Sequence, residues 1–279
     1  MLARISVRLM LPSGENVIVF VVKGILVQRS HNLERLEAFF GGRLAEMDRH
    51  GVVGVAEFKR VYDELMPAQK SKLEDICGGQ LQRLIRDGSI ICVGLAYPEH
   101  AVDCIDVRFS DGQANKDAWN VYAREYHRLN RLLNAVSKEI ANNFDGVAVA
   151  PTTEGIAVEN VKDYYGMTVS HRVVAENAGL GWRGKNELVI NERFSCALRF
   201  ASVITSVPLP HAEKVEFSCG ECQACIESCS FLRNKNRLEN YRESCRKYIA
   251  KLGLEGEVCG KCIKACYRRS IFSNRFSLK

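Results

Sequence analysis

Eight of the chain's twelve cysteines crowd into 48 of its 279 residues. Cys219, Cys222, Cys225 and Cys229 follow one another with gaps of two, two and three residues. A solitary Cys245 then precedes Cys259, Cys262 and Cys266, whose gaps are two and three. Thiolates at such intervals are metal ligands. A tight loop with two-residue gaps wraps three corners of an iron–sulfur cubane, and a cysteine three residues further on, carried by a short helix, points to a second cluster. Eight thiols suffice for two 4Fe–4S clusters. The spacing predicts one on Cys219, Cys222, Cys225 and Cys266, and the other on Cys229, Cys245, Cys259 and Cys262. Structural zinc is the competing use of paired two-residue gaps, but it gives no reason for a three-cysteine run with a fourth three residues on. A ferredoxin run ordinarily carries proline after its last cysteine, whereas here Ser230 follows Cys229 and Tyr267 follows Cys266. Of the remaining four cysteines, Cys92 reads as core packing, and Cys77, Cys104 and Cys196 have no ligand spacing and read as inert.

Composition narrows the setting. Hydrophobic residues make up 47% and charged residues 26%, an ordinary globular balance that excludes disorder and fibrous classes. A disulfide framework needs an oxidising compartment. No secretory h-region follows Arg4 and Arg8, because Pro12-Ser13-Gly14-Glu15-Asn16 interrupts it. The most apolar stretch, Val17 to Val27, is eleven residues long and contains Lys23, short of the roughly 20 a membrane span needs. The expectation is a cytoplasmic protein with no membrane partner. The net charge is +6, but residues 231–279 hold thirteen Lys or Arg against four Asp or Glu. The basic character belongs to the tail. It either offsets anionic sulfur ligands or forms a docking surface for an acidic redox partner or RNA.

The elements that must position these cysteines read as follows. Residues 1–30 are expected as an N-terminal hairpin or extension, with strands over Ala3–Met10 and Val17–Val22 about a Pro12-Ser13-Gly14 turn. Residues 31–210 form an α/β body. In it, helices are predicted over Asn32–His50, Asp117–Ala141 and Val169–Ala178, and strands over Gly51–Ala56, Ser89–Ala96, Val147–Ala150, Leu188–Ile190 and Ala201–Val207. The apolar runs are continuous rather than alternating, which suits strands covered on both faces. The fold class is therefore an α+β or α/β layered body, a mixed sheet covered by helices, followed over 211–279 by a small ferredoxin-like double 4Fe–4S cluster module. Trp119, Trp182 and His171 read as structural.

One segment of the body is compositionally odd: Ala175-Glu-Asn-Ala-Gly-Leu-Gly-Trp-Arg-Gly-Lys-Asn186. It has neither Walker nor dinucleotide spacing. The helix, Ala-Gly-Leu-Gly-Trp-x-Gly-Lys-Asn, strand and double cysteine group, in that order, resemble the epoxyqueuosine reductase family, cobalamin-dependent iron–sulfur enzymes of tRNA queuosine biosynthesis related to the reductive dehalogenases. Tyr122-Ala-Arg-Glu-Tyr-His127 and Gly51-Val-Val-Gly-Val-Ala-Glu-Phe-Lys59 resemble two further stretches of that family, and the likeness runs from about Leu33 to Phe272.

The resemblance implies an oxidoreductase in which the two clusters pass single electrons to a cobalamin that reduces the substrate, tRNA epoxyqueuosine or another small electrophile. It assigns Gly179, Gly181, Gly184, Lys185 and Asn186 to the corrinoid site. It brings Glu125 and His127 toward the cavity. The position of the family's catalytic Asp, fourteen residues before the first glycine, is Tyr165 here, with Asp163 two residues earlier. The implied partners are a low-potential donor such as a ferredoxin or flavodoxin, and tRNA. Only thirteen residues follow Cys266, so the family's C-terminal helical-repeat region is expected to be missing. Two readings compete with a cobalamin enzyme. One is a non-catalytic electron-transfer protein or reductive activator serving a corrinoid partner, and the other is an RNA-binding zinc protein.

Overall fold

The computed structural model describes residues 16–105, 115–152 and 165–269, with side chains described from residue 28 onward. Four strands form the main sheet: β1 (Gly51–Glu57), β2 (Ser89–Ala96), β3 (Gly146–Val149) and β6 (Leu198–Thr205), in the order β1-β2-β6-β3. The sheet expected to be mixed is antiparallel at all three of these pairings. The physical reason is connectivity. Helices cross between the strands, yet each strand re-enters beside its neighbour in the opposite sense.

β2 explains why an antiparallel strand reads as one apolar run. All eight of its residues are buried, and successive side chains leave on opposite faces. Ile91, Val93 and Leu95 enter a core with helix α6 (Lys116–Asn143). Ile90 and Cys92 enter a second core with α2 (Phe58–Glu64), α3 (Pro67–Cys77), α4 (Leu81–Asp87) and α7 (His171–Asn177). Both faces are covered, so no polar alternation survives in the sequence.

α6 is the main prop of the first core. The Asn115 side chain accepts from the Ala118 amide and caps its start. Trp119, Tyr122, Ala123, Tyr126, Leu129, Leu133, Val136 and Ile140 then recur at helical spacing and are buried. On the opposite face, a Cβ at Gly54 would stand 2.3 Å from the Ala178 carbonyl oxygen, so β1 and the end of α7 approach as closely as they do only because residue 54 is glycine.

At the N-terminus the outcome differs from the expected hairpin. Helix α1 spans Asn16–Met47, so Val17–Val22 is helical backbone and the helix runs on through residue 30. The first strand of that hairpin lies outside the described residues. A short β-branched run does not by itself separate strand from helix, and the helical pattern from Asn32 onward continues backwards through it. No described helix is long and apolar enough to cross a membrane.

His171 locks α7 to the sheet. Its Nε2–H donates to the Ala150 carbonyl (2.8 Å), and its Nδ1 pairs with the Ser202 hydroxyl (2.8 Å). Burial pushes its pKa down to about 4. That lies below the unfolded value near 6.5. The neutral ring therefore contributes stability that is complete above pH 6.5 and is lost as pH falls toward 4, about 3 kcal/mol in all. Denaturant unfolding at pH 6.5 and pH 4.5 is expected to show a smaller acid destabilisation in His171→Gln than in the parent; equal destabilisation would contradict this.

Candidate metal centre

No disulfide joins any of the twelve cysteines. Cys219 and Cys222 sit on a tight turn in which the Cys222 amide donates to the Cys219 carbonyl (2.9 Å). Cys225 follows on the short helix α8 (Ala224–Ser228), and Cys266 comes from helix α11 (Lys261–Arg269). These four thiols line one pocket together with Lys185, Asn186, Ile190 and Ala224. Burial pushes the Cys225 thiol up to about 11, with Cys266, Cys219 and Cys222 adding to it. Cys266 goes the other way, down to about 7, because Cys196 and Ser195 hydrogen-bond to it and outweigh its burial.

The second set gathers behind the first. Cys229 ends α8 and precedes α9 (Ser230–Arg233), Cys245 lies within α10 (Tyr241–Leu252), Cys259 lies in the loop before α11, and Cys262 in its first turn. Burial raises the Cys245 thiol to about 12, and the charges of Cys259 and Cys229 raise it further. Cys262 is raised well above the ordinary thiol value by burial and then by Cys259, Cys245 and Cys229. Cys225 of the first set acts on it too, so the two sets adjoin. α8 and α11 pack side by side. Each thus lies between the two sets, with Cys225 and Cys229 at one helix and Cys262 and Cys266 on the other.

Among the described residues, no three His, Cys, Asp or Glu side chains stand close enough to hold a single metal ion. The first four thiols line a pocket rather than meet at a point. Four soft thiol donors around a space of finite size fit a 4Fe–4S cluster. Loading requires the thiols to lose their protons, which the raised pKa values of Cys225, Cys245, Cys259 and Cys262 oppose until iron arrives.

The glycine segment is built against this pocket. It forms a small hairpin of β4 (Trp182–Arg183) and β5 (Val189–Ile190). A Cβ at Gly181, whose φ is 150°, would lie 2.1 Å from the Ile190 carbonyl oxygen; one at Gly184 would lie 2.7 Å from the Ile190 side chain; and one at Gly179 2.9 Å from the Glu213 carbonyl oxygen. The Lys185 ammonium donates to the carbonyls of Gly220 (2.7 Å) and Cys222 (3.1 Å). The buried Asn186 amide donates to the Cys196 sulfur (3.4 Å) and accepts from the Leu188 amide (3.2 Å). The five residues expected to line a corrinoid site lie against the chain's own atoms, and Lys185 among them holds the cysteine loop.

The expected catalytic residues fall in separate places. Glu125 is buried on α6 in an ion pair with Arg49 (3.1 Å). His127 Nε2 pairs with the Glu255 carbonyl (3.2 Å) and its ring packs on Gly256, so it docks the second cysteine loop. Tyr165 lies within electrostatic reach of Arg242, which donates to Glu187 (3.1 Å). Asp163 lies outside the described residues. Burial would raise Glu187, but Lys235, Arg242 and Arg172 outweigh it and hold the carboxyl below its usual value. Glu187 thereby ties the glycine segment to the cysteine module.

Sequence reading missed the residues that grip the ligand loops. Trp119 Nε1 donates to the Cys259 carbonyl (2.7 Å), and Lys261 stands over the Trp119 and Tyr248 rings. Lys264 donates to the carbonyls of Asp103 (2.6 Å) and Ile105 (2.7 Å). Cys196, expected to be inert, is buried beside Cys266. These contacts span tens of residues in sequence and leave no local signal. Lys185→Met is expected to expose the first thiol set, so that chelator removes about four of eight irons several-fold faster than from the parent, and Trp119→Phe to do the same at the second. Parental loss rates in both variants would contradict these roles.

No family model matches the chain. Among curated relatives, the epoxyqueuosine reductase of Lactococcus garvieae is 25% identical over 192 residues, covering 67% of this chain and 46% of the relative. That of Escherichia coli is 34% identical over 89 residues, covering 32% of this chain and 23% of the relative. That of Bacillus anthracis is 41% identical over 61 residues, covering 22% of this chain and 16% of the relative. The chain thus spans about half the length, or less, of these relatives. Among solved structures, epoxyqueuosine reductase from Streptococcus thermophilus aligns with a TM-score of 0.46 at 19% identity, covering 85% of this chain and 66% of that one. In sequence the chain is thus similar to epoxyqueuosine reductases.

Proposed function

We propose that the chain is an iron–sulfur oxidoreductase of the epoxyqueuosine reductase type, drawing single electrons from a low-potential donor such as a ferredoxin or flavodoxin. The observation that carries this reading is the shared pocket of Cys219, Cys222, Cys225 and Cys266. Cys229, Cys245, Cys259 and Cys262, coupled to one another beside it, would hold the second cluster. When bound, each 4Fe–4S cluster supplies a one-electron relay. The chain's residues fix where that relay sits. Lys185 and Trp119 hold the ligand loops by their carbonyls, and Cys225 and Cys266 are buried away from water.

The substrate proposed is the epoxide of epoxyqueuosine in tRNA, or another small electrophile. Converting the epoxide to an alkene takes two electrons and two protons and releases water. Tyr165, half-buried within electrostatic reach of Arg242, is the proposed proton donor. A corrinoid does not fit Gly179, Gly181, Gly184, Lys185 and Asn186 as they stand, because their polar groups and the space beside their backbones are taken by the chain itself.

That packing favours a second reading, an electron-transfer protein that reduces a partner. Its proposed docking surface, the basic tail, is partly engaged within the chain: Arg268 pairs with Asp103 and Glu99, and Arg269 with Glu227. The test is anaerobic incubation of the reduced, iron-replete protein with epoxyqueuosine tRNA, with and without added cobalamin, followed by nucleoside mass spectrometry. Loss of one oxygen from the nucleoside is expected, and Tyr165→Phe should slow it about 100-fold, the scale of general acid catalysis. No loss in either condition, with both clusters present, would overturn the reductase in favour of electron transfer.

A further inference from the structure

Cys266 differs from the other proposed ligands in what surrounds its sulfur. The Ser195 hydroxyl donates to it at 3.0 Å, inside the buried core. The thiol and backbone N–H of Cys196 face the same sulfur. Asn186 sets the direction of that second contact. Its carbonyl accepts from the Leu188 amide, so its NH2 must be the group that meets Cys196. With its sulfur accepting from Asn186, Cys196 has its S–H left to give to Cys266.

The backbone is bent to make this arrangement. Ser195 has φ 52°, a left-handed conformation that side chains other than glycine avoid. A tight turn imposes it. Asn191 and Ser195 exchange backbone hydrogen bonds (2.8 and 2.9 Å), and the Asn191 side chain accepts from the amides of Arg193 (2.9 Å) and Phe194 (3.2 Å). Glycine would suit that backbone better but would carry no hydroxyl. Strain of this kind marks a side chain placed for a purpose.

We infer that Ser195 and Cys196 are tuning residues which raise the reduction potential of the cluster held by Cys219, Cys222, Cys225 and Cys266. The inference rests on the two-cluster reading above. Reduction adds one electron to the oxidised cluster and spreads negative charge onto its sulfur ligands. No bond forms or breaks and no proton moves, and the electron comes from a one-electron donor of low potential. Hydrogen bonds to a ligand sulfur favour the more negative state and shift the equilibrium toward it. The neighbouring cluster does not use Cys266, so removing these two donors acts on one cluster only.

The test is an EPR-monitored redox titration with dithionite and mediators, on iron-assayed parent and variants. Ser195→Gly removes the hydroxyl while suiting the left-handed backbone. One of the two cluster signals is expected to shift down by about 59 mV, a tenfold change in a one-electron equilibrium, with the other unmoved. Cys196→Ala should move the same signal the same way, and Cys196→Ser, which keeps an O–H donor in place, should leave it near the parent. Parental midpoints in iron-replete Ser195→Gly and Cys196→Ala would overturn the inference, as would loss of iron from both. An iron-free parent would instead defeat the two-cluster reading itself.

Discussion

Everything in this structure turns on gathering eight thiols into two adjoining sets of four. Burial raises the pKa of Cys225, Cys245 and Cys262, and neighbouring thiols raise it further. Cysteines so placed repel one another as soon as they ionise, so the chain around them must be held by something other than the thiols. Side-chain donors supply that hold. Lys185 takes two carbonyls of the first loop, and Trp119 takes the carbonyl of Cys259. Lys264 fastens α11 to the end of α5 (Glu99–Asp103). Much of the basic tail's charge is spent on pairs within the chain.

The body is the platform for those donors. β2 is buried on both faces, α6 covers one of them, and Trp119, Tyr122 and His127 project from α6 toward the second cysteine loop. The hairpin of β4 and β5 covers the first. Its glycines permit backbone contacts that any side chain would block, which brings Lys185 and Asn186 to the cysteines. A segment that resembles a cofactor loop in composition is, in this geometry, a clamp on the cysteine module.

Much of this was legible in sequence. The runs at Gly51–Glu57 and Ser89–Ala96 mark strands by their unbroken apolar composition, and the long stripe of α6 carries its period openly. The cysteine gaps group the first four thiols because local spacing fixes loop geometry. What was not legible depends on distance along the chain. Cys196 and Cys266 are seventy residues apart, and Lys185 lies thirty-five residues from Gly220. Val17–Val22 misled for a different reason: β-branched composition is a weak preference, and the helix that continues from Asn32 overrides it. The antiparallel sense of the sheet was hidden because double-sided burial erases the alternation by which such strands are usually recognised.

The central claim is the crosswise sharing of α11, whose Cys262 goes to one set and whose Cys266, one turn on, goes to the other. The EPR spectrum of the dithionite-reduced Cys266→Ala chain tests it most directly, compared with those of Cys222→Ala and Cys262→Ala. The account predicts that Cys266→Ala loses the same cluster signal as Cys222→Ala and keeps the one that Cys262→Ala loses. A Cys266→Ala spectrum that matches Cys262→Ala instead would contradict it.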